Sequence, residues 1–416
     1  MKSTSRIALC AVVLLVAATT VLYAGGRAEE EEQRITVGVG GWAVEPVEEA
    51  LERLNFTEQT GIEVDVQTRP GAPGEFISQM SSAILSNTTP YDVVNIENDA
   101  AIPFSRSGWL VDLSDLYDDA FWADWPDDML GMVDTWYRHD GELFAIPNNY
   151  EAQYFFYRKD ILDEHGLEVP NTWEEIVEVG LQITDGDFYA LSDGMAQGGY
   201  LAVLLGYMTQ QAGGNIFDFD DSARTALEAL HAMIHEHGIM PAEALDKDYD
   251  QVNADYMQDR VGMMRQWPFF YDVARGNQEW FEEGKAAIAL PPAGPAGRST
   301  YAASWGWAIP NTSEKQEAAK TFVEFMTDPA HQAELVDIGA WFLSARHSVM
   351  EAVGHEGLAQ YLNWYSEEGV ISTRPFHPQF QEAQTIAEEV AAAYLTNQIT
   401  IDEAMEQGGR RIQALD

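Results

Sequence analysis

The hydrophobic pattern changes period repeatedly along the 416-residue chain. Residues 34–40, "RITVGVG", read as a strand, and residues 46–60 then place Val47, Ala50, Leu51 and Leu54 on one face at helical spacing. "GIEVDVQ" gives a second strand, residues 75–86 a second helix, "YDVVNI" (91–96) a third strand and residues 99–107 a third helical segment. Strand and helix in alternation predict an α/β fold with a parallel sheet and crossover helices. Beyond Trp109 the period fades, and residues 110–140 are rich in Asp, Trp and Pro. "FAIPNNYEAQYFFYRKDIL" (144–162) then supplies two strands before a helix that starts within "YRKDILDEHG". Alternation sends some of the rings at 154–157 into a core and the rest to the opposite face. Tyr150 and Glu151, at the head of that run, are assigned to a cleft wall.

Further on, Thr172 and Glu175 have the spacing of a capping box, and the chain from there to about Gly284 reads as mostly helical. "KAAIALPPAGPAG" (285–297) is a strand and a Pro/Gly loop, "SWGWAIP" another strand, and residues 314–326 an amphipathic helix. From about 351 the chain reads as helices interrupted by "STRPFHPQF" (372–380), and there is no internal repeat.

The first residues do not belong to this pattern. Lys2 and Arg6 precede an almost wholly apolar run from 7 to 21, followed by small residues around Ala24. That is the build of a secretory signal peptide, 1–24, with an acidic linker over 25–33. The run is short for a membrane span, so cleavage near Ala24 is expected rather than retention as an anchor. Cys10, the only cysteine, lies inside this run and before the position a lipid-bearing cysteine would take. The exported chain then has no thiol, which excludes disulfides, cysteine nucleophiles and zinc–thiolate sites.

Length allows two domains, each with its own core. The formal net charge of −45, from 68 acids and 23 bases, repels nucleic acid and anionic lipid. It also disfavours an anionic ligand, and it suits a salty habitat in which self-repulsion is screened.

The candidate chemistry sits at strand ends, where open parallel sheets bind ligands. The first strand ends in Gly40, Gly41 and Trp42 with Glu45 close behind; the third ends in Glu97, Asn98 and Asp99; Asn148, Asn149, Tyr150 and Glu151 follow Pro147. Any one of these could be a cap or turn residue, and their recurrence favours a shared cleft. Trp267, Trp305, Trp307 and Trp341 supply flat rings near glycines, amides or carboxylates, as a carbohydrate site needs: the pyranose face lies on an aromatic plane and its hydroxyls pair with polar side chains. Trp109, Trp122 and Trp173 read as structural. His231 and His235, with His237 nearby, have a spacing that can hold zinc, but no carboxylate stands at the HExxH position and histidines near a helix C-terminus suit its dipole. No metal or cofactor is expected.

Four segments resemble, in order, those of extracellular solute-binding proteins of sugar ABC importers (family 1, the maltose/trehalose-binding type). They are "YDVVNIENDAAIPFSRSGWLVDL" (91–113), "GELFAIPNNYEAQYFFYRKDILDEHGLEVPNTWEEI" (141–176), "DYMQDRVGMMRQWPF" (255–269) and "SWGWAIPNTSEKQEAAKTFVEFM" (304–326). The resemblance implies a two-lobed, type II Venus-flytrap fold with the ligand cleft between lobes. It implies lobe one from 34–145 plus 298–345 and lobe two from 146–297 plus 346–416. By position, Glu97 and Glu151 match ligand-binding acids, Trp267 and Trp305 sugar-stacking tryptophans, and Arg374 an arginine that reaches sugar hydroxyls. Ser304 stands where many relatives have glycine, and Trp42, Glu45 and Trp341 join the candidates on a looser match.

The expected function is therefore capture of a sugar between two lobes and its delivery to ABC permease subunits, by a monomer at the periplasm or the outer face of the cytoplasmic membrane. No catalysis is expected: there is no Ser-centred elbow or phosphate-cradling loop, although carboxylate pairs for glycoside hydrolysis could arise. The alternative is the same fold binding a polyamine or other cationic solute through carboxylates and cation–π contacts. A neutral sugar takes stacking and mixed donors and acceptors, and Asn148, Asn149 and Arg374 tilt the reading toward sugar.

Overall fold

The computed structural model describes residues 33–70, 73–354 and 357–415, so the expected signal peptide, Cys10 and nearly all of the linker lie outside the described residues. In chain order its strands are β1 (Gln33–Val39), β2 (Ile62–Thr68), β3 (Val93–Glu97), β4 (Arg138–His139), β5 (Glu142–Leu143), β6 (Ile146–Pro147) and β7 (Glu151–Ala152). They continue with β8 (Tyr154–Tyr157), β9 (Tyr189–Ser192), β10 (Val261–Gln266), β11 (Ala287–Ala289), β12 (Thr300–Ala303), β13 (Trp305–Ala308) and β14 (Ile371–Thr373).

Ile35, Val37 and Val39 are fully buried, which puts β1 in the interior of the first sheet, ordered β2-β1-β3-β13-β6. Only the β2-β1-β3 part has the parallel pairing expected; β13 runs antiparallel to both β3 and β6. β13 enters this sheet from a part of the chain some two hundred residues later, so no crossover helix dictates its direction. The single helix expected over 46–60 is two, Val44–Arg53 and Phe56–Thr60, because Asn55 takes a left-handed conformation (φ 50°). The break turns Phe56 into the core, edge-on to Phe325 at 4.9 Å.

The second sheet is ordered β11-β8-β10-β9. Two of its strands, β9 and β10, lie in the stretch read as mostly helical. All of β10 is buried, so its sequence lacks the alternation that marks a half-exposed strand. The same physics corrects the reading of 154–157. Tyr154, Phe155 and Phe156 are all buried, with Phe156 edge-on to Phe270 (5.0 Å) and Tyr154 to Tyr365 (4.9 Å).

A third sheet, β14-β12-β7, joins the other two. β7 lies in the chain between β6 of the first sheet and β8 of the second, and β12 between β11 of the second and β13 of the first. The chain therefore passes between the two main sheets along neighbouring, hydrogen-bonded strands.

The capping box at Thr172 is half as expected. Thr172 Oγ1 accepts from Glu175 N–H at 3.2 Å, but Glu175 reaches back one residue further, to Asn171 N–H at 2.6 Å. His231 and His235 tie their helix (Asp221–His235) to the chain after Tyr394, through Nε2 contacts to Asn397 Oδ1 (2.8 Å) and Leu395 O (2.7 Å).

Candidate functional site

The order of the first sheet places β13 between β3 and β6, and this brings three strand ends together. Trp305, the first residue of β13, pairs with Glu97, the last residue of β3, while Gly306 pairs with Pro147 of β6. The chain leaving β6 therefore delivers Asn148 to Glu151 beside Glu97.

The two asparagines lock this junction. Asn149 Oδ1 accepts from Trp305 N–H at 2.8 Å and its Nδ2 donates to Glu151 Oε1 at 2.8 Å. Asn148 Oδ1 accepts from the indole of Trp307 at 3.0 Å, and its Nδ2 donates to Trp341 O at 3.0 Å. Ser304 is fully buried, and its hydroxyl donates to Asn149 O at 2.7 Å. Its carbonyl accepts from Asn98 N–H at 3.0 Å and from the Tyr137 hydroxyl at 2.8 Å. Ser304 thus joins β3, β13 and the segment before β7.

An aromatic wall stands over the junction. Trp42 meets Trp305 edge-on at 5.3 Å and Trp341 edge-on at 5.6 Å, and remains 54% exposed. Trp341 is buried against Trp307, with centroids 5.7 Å apart. The Arg69 guanidinium lies 5.3 Å from the Trp305 ring, held by an Nε–H bond to Asn95 O at 2.9 Å.

Charge is concentrated beside that wall. Arg374, in the segment after β14, lies 3.2 Å from Glu97 Oε1 and 3.6 Å from Asp99 Oδ2, with its guanidinium over the Phe380 ring. Burial and then the Asp99 charge push Glu97 up to about 7, against the opposing pull of Arg374 and Arg69. Burial, then Glu97, pushes Glu151 up to about 8, with the bond from Asn149 opposing. Burial lowers Arg69 to about 10, and nearby Glu97 counters it. Asn98 Nδ2, Asp99 Oδ1 and Trp341 Nε1 are buried without a hydrogen bond from the protein. An arrangement of this kind can accept and donate hydrogen bonds to a hydroxylated solute while an aromatic face covers its apolar side.

The structure thus gathers Trp42, Glu97, Asn149, Glu151, Trp305, Trp341 and Arg374. It does not bring in the other candidates directly. Glu45 is exposed in the first turn of helix Val44–Arg53. Tyr150 is buried and its hydroxyl donates to Asp128 Oδ2 at 2.7 Å, not to Glu97 or Glu151. Trp267, after β10, is buried beside Tyr249, whose other electrostatic neighbours include Arg374.

Arg69, Asp99, Tyr200 and Tyr249 belong to the same neighbourhood without having been candidate site residues. Tyr200 is half-buried, edge-on to Tyr249 at 4.8 Å and within the electrostatic reach of Glu97. Asp99 carried a signal in the strand-end run Glu97-Asn98-Asp99. Arg69 follows β2 and Tyr200 opens helix Tyr200–Gln211, and neither position has a pattern that marks it. Among the described residues, no three His, Cys, Asp or Glu side chains are grouped to hold a metal ion, and no helix is long and apolar enough to cross a membrane.

Two lobed sheets, a connecting sheet between them and a polar, aromatic junction define a mixed α/β binding protein of the two-lobed type II class. The chain belongs to the bacterial extracellular solute-binding proteins, whose family pattern it matches over residues 36–333. It is 25% identical over 209 residues to a probable ABC transporter-binding protein of Deinococcus radiodurans, covering 46% of this chain and 49% of that one. It is also 25% identical over 200 residues to the arabinooligosaccharide-binding protein of Halalkalibacterium halodurans, covering 45% and 44%. The chain thus spans about half the length of these curated relatives. Among solved structures it is similar to maltose-bound MalE3 of T. maritima, with a TM-score of 0.81, 22% identity and coverage of 92% and 100%. The GacH receptor of Streptomyces glaucescens GLA.O gives 0.80, 20%, and coverage of 93% and 99%. At these identities the likeness establishes the fold.

Proposed function

We propose that this protein is the extracytoplasmic solute-binding component of an ABC importer, and that it captures a sugar between its lobes and passes it to permease subunits. One observation carries the reading. The Trp42–Trp305–Trp341 wall adjoins a mixed set of acceptors and donors, Glu97, Glu151 and Arg374, where the first sheet meets the connecting sheet. The names of several relatives support it, since they bind arabinooligosaccharide, mannitol or maltose. In this reading Trp305 and Trp42 stack on the ligand with Trp341 packed behind them, and Glu97, Glu151 and Arg374 hold its hydroxyls. Trp267 belongs to a facing wall with Tyr249 and Tyr200; Asn149 and Tyr150 frame the site, and Glu45 lies at its rim.

The lobes rotate about the β14-β12-β7 sheet, and ligand favours closure because only the closed form touches it from both sides. Sheet membership supports a division close to 34–145 plus 298–345 against 146–297 plus 346–416. The crossings then fall within 148–153 and 299–304, and β6 goes to the first lobe. Export by a cleaved signal peptide fits the sequence of 1–24, and the acidic surface argues against nucleic acid. The protein works as a monomer and catalyses no reaction.

Calorimetric titration of the chain from Glu29 onward against mono-, di- and oligosaccharides, with putrescine and spermidine alongside, tests this. Micromolar or tighter binding of one saccharide class is expected. Binding of polyamines alone, or of nothing, would overturn the sugar reading.

A further inference from the structure

Glu388 lies within helix Phe380–Leu395 and is only 4% exposed. Its carboxylate is spent on backbone amides of a different helix. Oε2 accepts from Gly198 N–H at 2.9 Å, and Oε1 accepts from Gly199 N–H at 2.8 Å and Ala202 N–H at 3.2 Å. These donors belong to the start of helix Tyr200–Gln211, where amides lack helical partners and the helix dipole favours negative charge. The helix's own N-cap, Gly199, has no side chain to satisfy them. The turn before it is built from Gly198 (φ 108°) and Gly199 (φ 121°), a backbone that side chains rarely tolerate. The cap is therefore supplied by a residue 186 to 190 positions away.

What this turn presents is Tyr200. As the first residue of the helix, it takes its direction from the three tethered amides. Its ring packs edge-on to Tyr249 and stands within the electrostatic reach of Glu97. We propose that Glu388 is a positioning residue of the ligand site: by holding the amides of Gly198, Gly199 and Ala202 it sets the first helical turn so that the Tyr200 ring meets Tyr249 in the neighbourhood of the Glu97–Arg374 pair. The proposal rests on the reading of that pair as part of a sugar site.

Glutamine at 388 tests it with little change in volume. Its amide oxygen can keep the bonds to Gly199 and Ala202, but its NH2 then confronts the Gly198 N–H donor to donor. In the full chain, Glu388→Gln should weaken binding of the saccharide found by titration about tenfold. In a Tyr200→Ala background the same change should alter affinity less than about twofold, because the side chain being positioned is gone. Hydrogen exchange should also accelerate at 198–203, first at the Gly198 amide that loses its acceptor, while other helices keep their protection.

A lowered melting temperature with unchanged affinity overturns the proposal, and so does an equal loss of affinity in both backgrounds. If Glu388→Gln does not fold, Glu388→Asp, which keeps the charge but withdraws it by one methylene, takes its place in the same comparisons. If the wild type binds no saccharide, the sugar reading fails on its own. Exchange at 198–203 then decides the role of Glu388, as it does if Tyr200→Ala binds too weakly to measure: retained protection at Gly198 overturns it, lost protection supports it.

Discussion

Glu97 and Arg374 approach to 3.2 Å, a bond between the end of a first-sheet strand and the segment that follows the connecting sheet. Neither group is neutralised simply by the other. Asp99 also lies 3.6 Å from Arg374, and Glu151 is close enough to feel the Glu97 charge. Acids outnumber bases at this point, and after burial itself that imbalance is what raises the acids. Arg374→Ala removes a charge that lowers Glu97, so the Glu97 value should rise further above about 7, as carboxyl NMR titration would record. Affinity for the saccharide should fall about tenfold or more, and Arg374→Lys should restore it only in part, since lysine keeps the charge and loses the fork.

Trp305→Ala should cost at least ~1.5 kcal/mol of binding while the protein stays folded, read by calorimetry beside circular dichroism. The main-chain bonds of residue 305 to Asn148 and Asn149 survive the substitution, so the strand should persist. Unfolding would show that the ring is packing and not ligand surface.

Glu97 and Glu151 make the ligand-free protein sensitive to alkali. Both hold their protons more tightly when folded than the ordinary value of 4.5 allows. Their contribution to stability is complete below about 4.5 and is lost as pH rises through about 7 for Glu97 and about 8 for Glu151. Glu151→Gln should therefore melt higher than wild type at pH 9, with the difference shrinking toward pH 5. A difference that grew on acidification would contradict the assignment.

Tyr150→Phe deletes the hydroxyl that donates to Asp128 Oδ2. Denaturant titration should show a loss of about 1 kcal/mol of stability, with saccharide affinity changed less than about twofold. A large loss of affinity would return Tyr150 to the ligand surface.

Much of the first sheet could be read from the sequence, because β1, β2 and β3 come with helices between them at close range. β9 and β10 could not, because full burial removes the period-2 alternation, and the arrival of β13 depends on contacts across some two hundred residues. The site divides along the same line. Glu97, Glu151 and Trp305 were legible from their place at strand ends and from family motifs. Tyr150 was placed in the cleft because it precedes Glu151, yet it lies in the link between β6 and β7, where its N–H bonds to Leu343 O and its hydroxyl finds Asp128. Arg69, Tyr200 and Tyr249 enter the neighbourhood only through tertiary packing.

The connecting sheet has strands of only two, four and three residues. A ribbon so short, with its strands side by side, resists stretching and shear, since either would break several ladder bonds at once. Twist about its length needs only small changes at many torsions. Twist is thus the softest motion this ribbon allows between the two main sheets, and it is the coordinate a solute can bias. Substitutions that stiffen the ribbon should slow capture and release together, even where they leave the equilibrium between them untouched.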